Sequence, residues 1–262
     1  MADWNGGAVP NPPSKRSPPC HALDEPVRGV TFAAMFEAEA IRLREILLAE
    51  GEISPLLNLG SSTRHFREQA KPHIERELFA PLRAAGVQVF HSDLKQADGV
   101  DLAGDVLDPA VRAELKGRGF RALLIANMLE HVRDRDAVIA ACEEIVGHGG
   151  LILATVPSSF PYHADPIDTG YRPQSDELAA AFLGSEKLLS DAVQGLTYKE
   201  EIAARSSSVW RELGRTLGFL LIGFARPKSA RGRFSRWRWY RRPYVVSLAL
   251  VRVRGDPRPD RA

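Results

Sequence analysis

Short polar groups stand where apolar runs of this 262-residue chain stop: Asp93, Asp105, and Asn127 with Glu130. Another run, Leu56-Leu57-Asn58-Leu59, stops at Gly60-Ser61-Ser62-Thr63. A glycine followed by small hydroxylated residues supplies a permissive backbone and then an N-cap. A carboxylate accepts two hydrogen bonds in a fixed fork, so Asp93 suits the hydroxyl pair of a ribose and Asp105 an exocyclic amine. Each Asp has a second reading, as a turn or cap residue. Ser62 and His65 occupy the positions where a G-x-G-x-x-G turn would carry glycines, which argues against a pyrophosphate ligand. His131 and His163 are the candidate general bases. Two blander roles stay open, a backbone hydrogen bond for His131 and a solvated loop for His163. Between Pro161 and Pro173, Tyr162, Asp165, Asp168, Tyr171 and Arg172 offer groups that could read a polar substrate. Glu130, His131, Asp165 and Asp168 match no specific ligand spacing, and no metal is expected.

These residues need a scaffold that brings strand ends together. Leu56 to Leu59, Val87 to Phe90 leading into His91-Ser92-Asp93, Val100 to Ala103, Phe120 to Ala126 and Leu151 to Val156 read as strands. Helical spacing runs from Thr31 to Glu50 and from Thr63 to Ala85, the latter interrupted near Pro72. Asp108-Pro109 caps a helix through Lys116, and Asp134 and Asp136 open one that His148-Gly149-Gly150 ends. The alternation predicts a doubly wound α/β fold with a parallel sheet and right-handed crossovers. Gln174 to Leu183 and residues 184–216 read as helical, and Phe219 to Phe224 and Tyr244 to Val253 as strands. In such sheets ligands sit outside the carboxyl ends of the strands, where Gly60 falls.

Residues 1–25, rich in proline, read as a disordered leader, 26–254 as a single domain beginning with a helix over 26–50, and 255–262 as a disordered tail. A formal charge of +2 is too small to imply nucleic acid. Two cysteines, Cys20 and Cys142, give neither a disulfide framework nor a thiolate metal site, and the default compartment is the cytoplasm. The basic aromatic loop 226–243 interleaves arginines with rings from Arg231 to Arg242, which suits peripheral contact with an anionic membrane. A solvated hairpin and single-stranded nucleic acid are its other readings.

Leu57-Asn58-Leu59-Gly60-Ser61-Ser62, Asp93, Gly104-Asp105 and Asn127-Met128-Leu129-Glu130-His131-Val132 together resemble the motifs of class I S-adenosylmethionine-dependent methyltransferases, of the type 11-like kind. The resemblance covers about Pro55 to Phe182, and the fourth-strand motif is its most specific part. It implies a Rossmann-like, mostly parallel seven-stranded sheet closed by an antiparallel C-terminal hairpin, with S-adenosyl-L-methionine as cofactor. Asn58, Gly60, Ser61, Ser62, Asp93, Asp105, Asn127 and Met128 would hold it. The family turn carries an acid where Asn58 stands and two or three glycines where this chain has one. The implied reaction is methyl transfer to a small-molecule or lipid- or sugar-linked acceptor through an oxygen nucleophile. The Asn-Pro-Pro-aromatic tetrad of nucleobase amine methylation is missing. A methyltransferase-like domain that binds a ligand or partner without turnover is the rival reading.

Overall fold

A computed structural model describes residues 35–162, 167–204, 208–222 and 235–255. The leader, the tail beyond 255, His163, Asp165, and the stretch from Arg231 to Phe234 lie outside the described residues. Seven strands form one sheet in the order β3-β2-β1-β4-β5-β7-β6. They are β1 (Leu56–Leu59), β2 (Val89–Asp93), β3 (Leu102–Ala103), β4 (Ala122–Ala126), β5 (Leu151–Ser159), β6 (Ser185–Thr197) and β7 (Pro243–Val253). The first five pair in parallel, and β7 runs antiparallel to both β5 and β6. The expected mostly parallel α/β sheet of seven strands with an antiparallel C-terminal pair is therefore present.

Side chains of a strand point alternately to the two faces, and the central strands show the consequence. Leu123, Ile125, Ile152 and Ala154 enter one core with α4 (Pro109–Gly117), α5 (Arg135–Val146) and α6 (Ser175–Ala180). Ala122, Leu124, Leu151 and Leu153 enter the other with α1 (Glu37–Glu50) and the helical stretch that ends in α3 (Ala80–Ala84). Both faces are covered, which is why these strands read as continuous apolar runs.

The helix caps follow from local chemistry. Asp108 accepts from the Ala110 amide at 2.8 Å with Pro109 in the first turn of α4, and Asp134 accepts from Ala137 N at 3.2 Å to open α5. The helical stretch expected from Thr63 is irregular: π-helical turns at Phe66–Ala70 and Glu75–Phe79 flank α2 (Pro72–Ile74). Proline has no N–H to donate and disfavours helix in the residue before it, so the break falls at Lys71.

The C-terminal reading needs correction. The partner of β7 is β6, inside the span read as helical, while the expected strand from Phe219 begins within helix α8 (Val209–Ile222), which follows α7 (Tyr198–Ala204). Strand β6 lies at the sheet edge, carries Glu186, Lys187 and Asp191, and shifts register twice, between Lys187 and Leu189 and between Gln194 and Thr197. An edge strand needs no continuous apolar run, and irregular register erases the alternation that would reveal it. A short apolar run such as Phe219 to Phe224 does not by itself separate strand from helix end. Strand β5 also runs through Pro157, where it was expected to end, with an irregularity in its pairing between Pro157 and Ser159.

Leu124 is fully buried at the centre of the sheet, whereas Leu183 is 87% exposed. Leu124→Ala is expected to lower unfolding free energy by about 2–5 kcal/mol in urea titration, and Leu183→Ala by less than about 0.5 kcal/mol.

Candidate active site

The turn after β1 is built to face outward. The amides of Gly60 and Ser61 both donate to the Ser92 carbonyl, at 2.9 and 3.0 Å, which ties the turn to the end of β2. Gly60 has φ +74°, and a Cβ there would lie 2.7 Å from Sδ of Met128. Ser62 also holds positive φ, 55°. Backbone in this region costs on the order of 1 kcal/mol for a non-glycine residue and persists only where its surroundings enforce it. The enforcement comes from Arg67, whose guanidinium donates to the carbonyls of Ser61 (2.9 Å), Ser62 (2.7 Å) and Gly99 (2.8 Å). With three carbonyls held behind it, the turn is rigid.

Asp93 ends β2 beside this turn. Its Oδ2 accepts from the Ser62 amide at 2.7 Å and its Oδ1 from Lys95 N at 3.2 Å. Two carboxylate oxygens offer about four acceptor positions, so two amides leave capacity for a ligand diol. Asp105 is exposed and its Oδ1 caps the Leu107 amide at 2.9 Å, the turn role that was its second reading.

Asn58 is committed elsewhere. Its buried Nδ2 lies 3.0 Å from Nδ1 of His91, its register partner on β2. Burial pushes His91 down to about 3, with nearby arginines adding to the shift, so the ring is neutral and Nδ1 accepts from the amide. The edge of the Phe79 ring meets this imidazole at 5.0 Å.

After β4 the chain turns through Asn127, with φ 49°, and Met128 into a 3-10 turn over Leu129–His131. The Asn127 side chain donates to Oε1 of Glu39 at 2.8 Å. The same oxygen accepts from Thr155 Oγ1 on β5 at 2.6 Å, and Glu39 Oε2 caps the Phe36 amide at 3.2 Å. Burial raises the Glu39 carboxyl above its ordinary value against these three hydrogen bonds.

Glu130 differs from Glu39 in one respect. It is fully buried, yet among the described residues neither carboxyl oxygen has a hydrogen-bond partner. Burial pushes it up to about 8. His131 Nε2 stands 3.7 Å from Glu130 Oε1, and His131 Nδ1 donates to the Ile167 carbonyl at 2.6 Å, because a carbonyl can only accept. The loop beyond is fastened to this point: Thr169 donates to the Glu130 carbonyl through both its amide and its hydroxyl, each at 2.9 Å. Asp168 pairs with Arg172 at 2.6 Å, and Arg135 lies over the Tyr171 ring at 4.5 Å. Tyr162 is exposed.

The structure thus gathers Gly60, Ser61, Ser62, Asp93, Asn127, Met128, Glu130 and His131 at the carboxyl ends of β1, β2 and β4. The side-chain nitrogen of Asn58 is instead bonded to His91. Glu39, Arg67, His91 and Thr155 were missed by the sequence reading. Glu39 shares a helix face with Leu43 and Ile46 at i+4 and i+7, and a carboxylate at buried spacing was the available signal.

No family model matches this chain, and no curated protein matches it. Among solved structures it is similar to the [4+2]-cyclase SpnF, at 16% identity over 87% of this chain and 85% of that one, with a TM-score of 0.49. It is similar to the MccD protein at 14% identity over 80% and 96%, TM-score 0.48. A SAM-dependent methyltransferase from Archaeoglobus fulgidus is 12% identical over 80% and 91%, TM-score 0.46.

Two predictions test the site's construction. Gly60→Ala is expected to cost about 1–2 kcal/mol in thermal unfolding. Met128→Ala in that background should restore only the steric part, since the positive φ remains. A buried histidine held near 3, below its ordinary 6.5, stabilises fully above pH 6.5 and loses that contribution as pH falls toward 3. Urea midpoints should therefore drop over that window more steeply in the natural chain than in an Asn58→Leu/His91→Leu variant.

Proposed function

We propose that this chain transfers a methyl group from S-adenosylmethionine to a hydroxyl of a small-molecule or lipid- or sugar-linked acceptor. The observation that carries the reading is a convergence. The Gly60 turn, the Asp93 carboxylate and the Met128–Glu130 segment meet at one rim, joined by Ser62 N to Asp93 at 2.7 Å and by Met128 against Gly60. In this reading the ribose hydroxyls bond to Asp93, the Gly60 turn and Met128 line the cofactor's flank by contact, the turn amides being already bonded to Ser92 and Asp93, and the loop 167–173 walls the acceptor side.

Methyl transfer is an in-line displacement at a sulfonium carbon. The acceptor oxygen forms a bond to the methyl, the methyl–sulfur bond breaks and leaves a neutral sulfide, and the hydroxyl proton must go to a base. In this reading Glu130 and His131 are the candidate groups among the described residues. The unpartnered Glu130 carboxylate receives the proton, and His131, fixed by the Ile167 carbonyl, faces it with Nε2. Alignment and exclusion of water supply the remainder of the rate. No metal is invoked.

The rival reading, a binding domain without turnover, draws support from Asn58, whose amide goes to His91 and not to a ligand. Radiolabelled methyl transfer into cell extract separates the two, since a binding domain binds cofactor and labels nothing. Calorimetric titration is expected to detect S-adenosylmethionine below millimolar concentration, and Asp93→Asn should weaken it at least about tenfold, the loss of roughly one charged hydrogen bond.

The base assignment predicts a pH limb. The ionised form of Glu130 grows as pH rises through about 8, so labelling rate should climb to a plateau above that pH. Glu130→Gln should flatten the limb and lower the rate by about 10²–10⁴ while leaving cofactor affinity within a few-fold. A pH-independent rate in the natural chain would refute the role.

A further inference from the structure

A third buried cluster forms where Tyr198 and Ile202 of α7 meet Tyr244 of β7. The 3-10 turn Trp237–Trp239 packs onto it. The edge of the Tyr198 ring meets Trp237 at 5.5 Å, Trp237 Nε1 donates to Thr216 Oγ1 of α8 at 3.2 Å, and Trp239 Nε1 donates to Ser159 at 3.1 Å. The indoles of Trp237 and Trp239 are thus used inside the protein. Arg238, Arg241 and Arg242 are exposed, as is Arg211 on α8, and among the described residues none of the four makes an ion pair. Three exposed arginines elsewhere, Arg76, Arg118 and Arg121, are paired with glutamates, whereas among the described residues Arg133 and Arg254 are single exposed cations.

On α8 Thr216 is buried and anchors the helix to Trp237. Trp210 is 80% exposed and Leu217 is 50% exposed. Seven residues apart, they lie on one stripe of the helix about 10 Å long. Large apolar side chains beside unpaired arginines are the composition of a membrane-surface helix, where rings sit at headgroup level and guanidinium groups meet phosphates.

We propose that Trp210 and Leu217, with Arg211, Arg238, Arg241 and Arg242, form a docking face for an anionic membrane surface. Charge complementarity selects this occupant, because four cations without acidic partners meet a surface of negative headgroups. Single-stranded nucleic acid fits less well: stacking successive bases needs several open rings, and with Trp237, Trp239 and Tyr240 packed against their neighbours this face offers Trp210. The face uses none of Gly60, Asp93 and Glu130, so it does not depend on the methyl-transfer reading.

The test is co-sedimentation of the full chain with phosphatidylcholine vesicles, with and without phosphatidylserine. Binding is expected only to the anionic vesicles and should fall as salt is raised. Arg238→Glu/Arg241→Glu should weaken it at least about tenfold, since each arginine near an anionic leaflet is worth roughly fivefold. Trp210→Ser/Leu217→Ser changes only exposed side chains, should retain the natural circular dichroism spectrum, and should weaken binding about tenfold. Equal binding to neutral vesicles, no binding to either, unchanged binding by the variants, or tighter binding to single-stranded DNA than to anionic vesicles would each overturn the proposal.

Discussion

The buried carboxylate of Glu39 is the interaction on which the rest of the site depends. One side chain from α1 joins three elements, capping its own helix through Phe36 and accepting from Asn127 after β4 and Thr155 on β5. The 3-10 turn that carries Glu130 and His131 can leave β4 at that angle only if Asn127 adopts positive φ, and Glu39 holds Asn127 there. Removing one partner of such a network strands the others, which costs more than the hydrogen bonds contribute. Helix α1 is therefore part of the crevice's foundation as well as a cover for one sheet face.

Against this background the state of Glu130 acquires meaning. Two glutamates lie buried near the same strand ends. Glu39 is satisfied by three donors, and Glu130 by none among the described residues. An unpartnered buried polar group costs about 1–3 kcal/mol, and natural interiors keep few of them. Structural packing alone would favour an apolar residue at position 130. A carboxyl kept there at that cost, beside an imidazole oriented by the Ile167 carbonyl and under a loop fastened by Thr169, is preorganised for a proton or a polar ligand group.

Much of the scaffold was readable because its determinants are local. The β1, β4 and β5 runs are buried on both faces, Asp108-Pro109 and Asp134 are caps, and Gly60, Asp93 and Asn127 mark strand ends. Residues whose roles come from distant contacts were not readable. Arg67 lies in a broken helix and acts on carbonyls of the turn before it and on Gly99. His91 matters through Asn58 on the neighbouring strand, and that pairing also redirects an amide the sequence had assigned to the cofactor. Strand β6 was missed because an edge strand with two register shifts carries neither alternation nor an apolar run.

The central claim is that the crevice between the ends of β1 and β4 holds the cofactor with Glu130 facing its reactive end. A crystal structure of the complex with S-adenosylhomocysteine tests it most directly. The account predicts the ribose hydroxyls on Asp93, the ligand's flank along Gly60 and Met128, and its sulfur directed toward Glu130. A ligand bound elsewhere, or one whose sulfur faces away from Glu130, would contradict it.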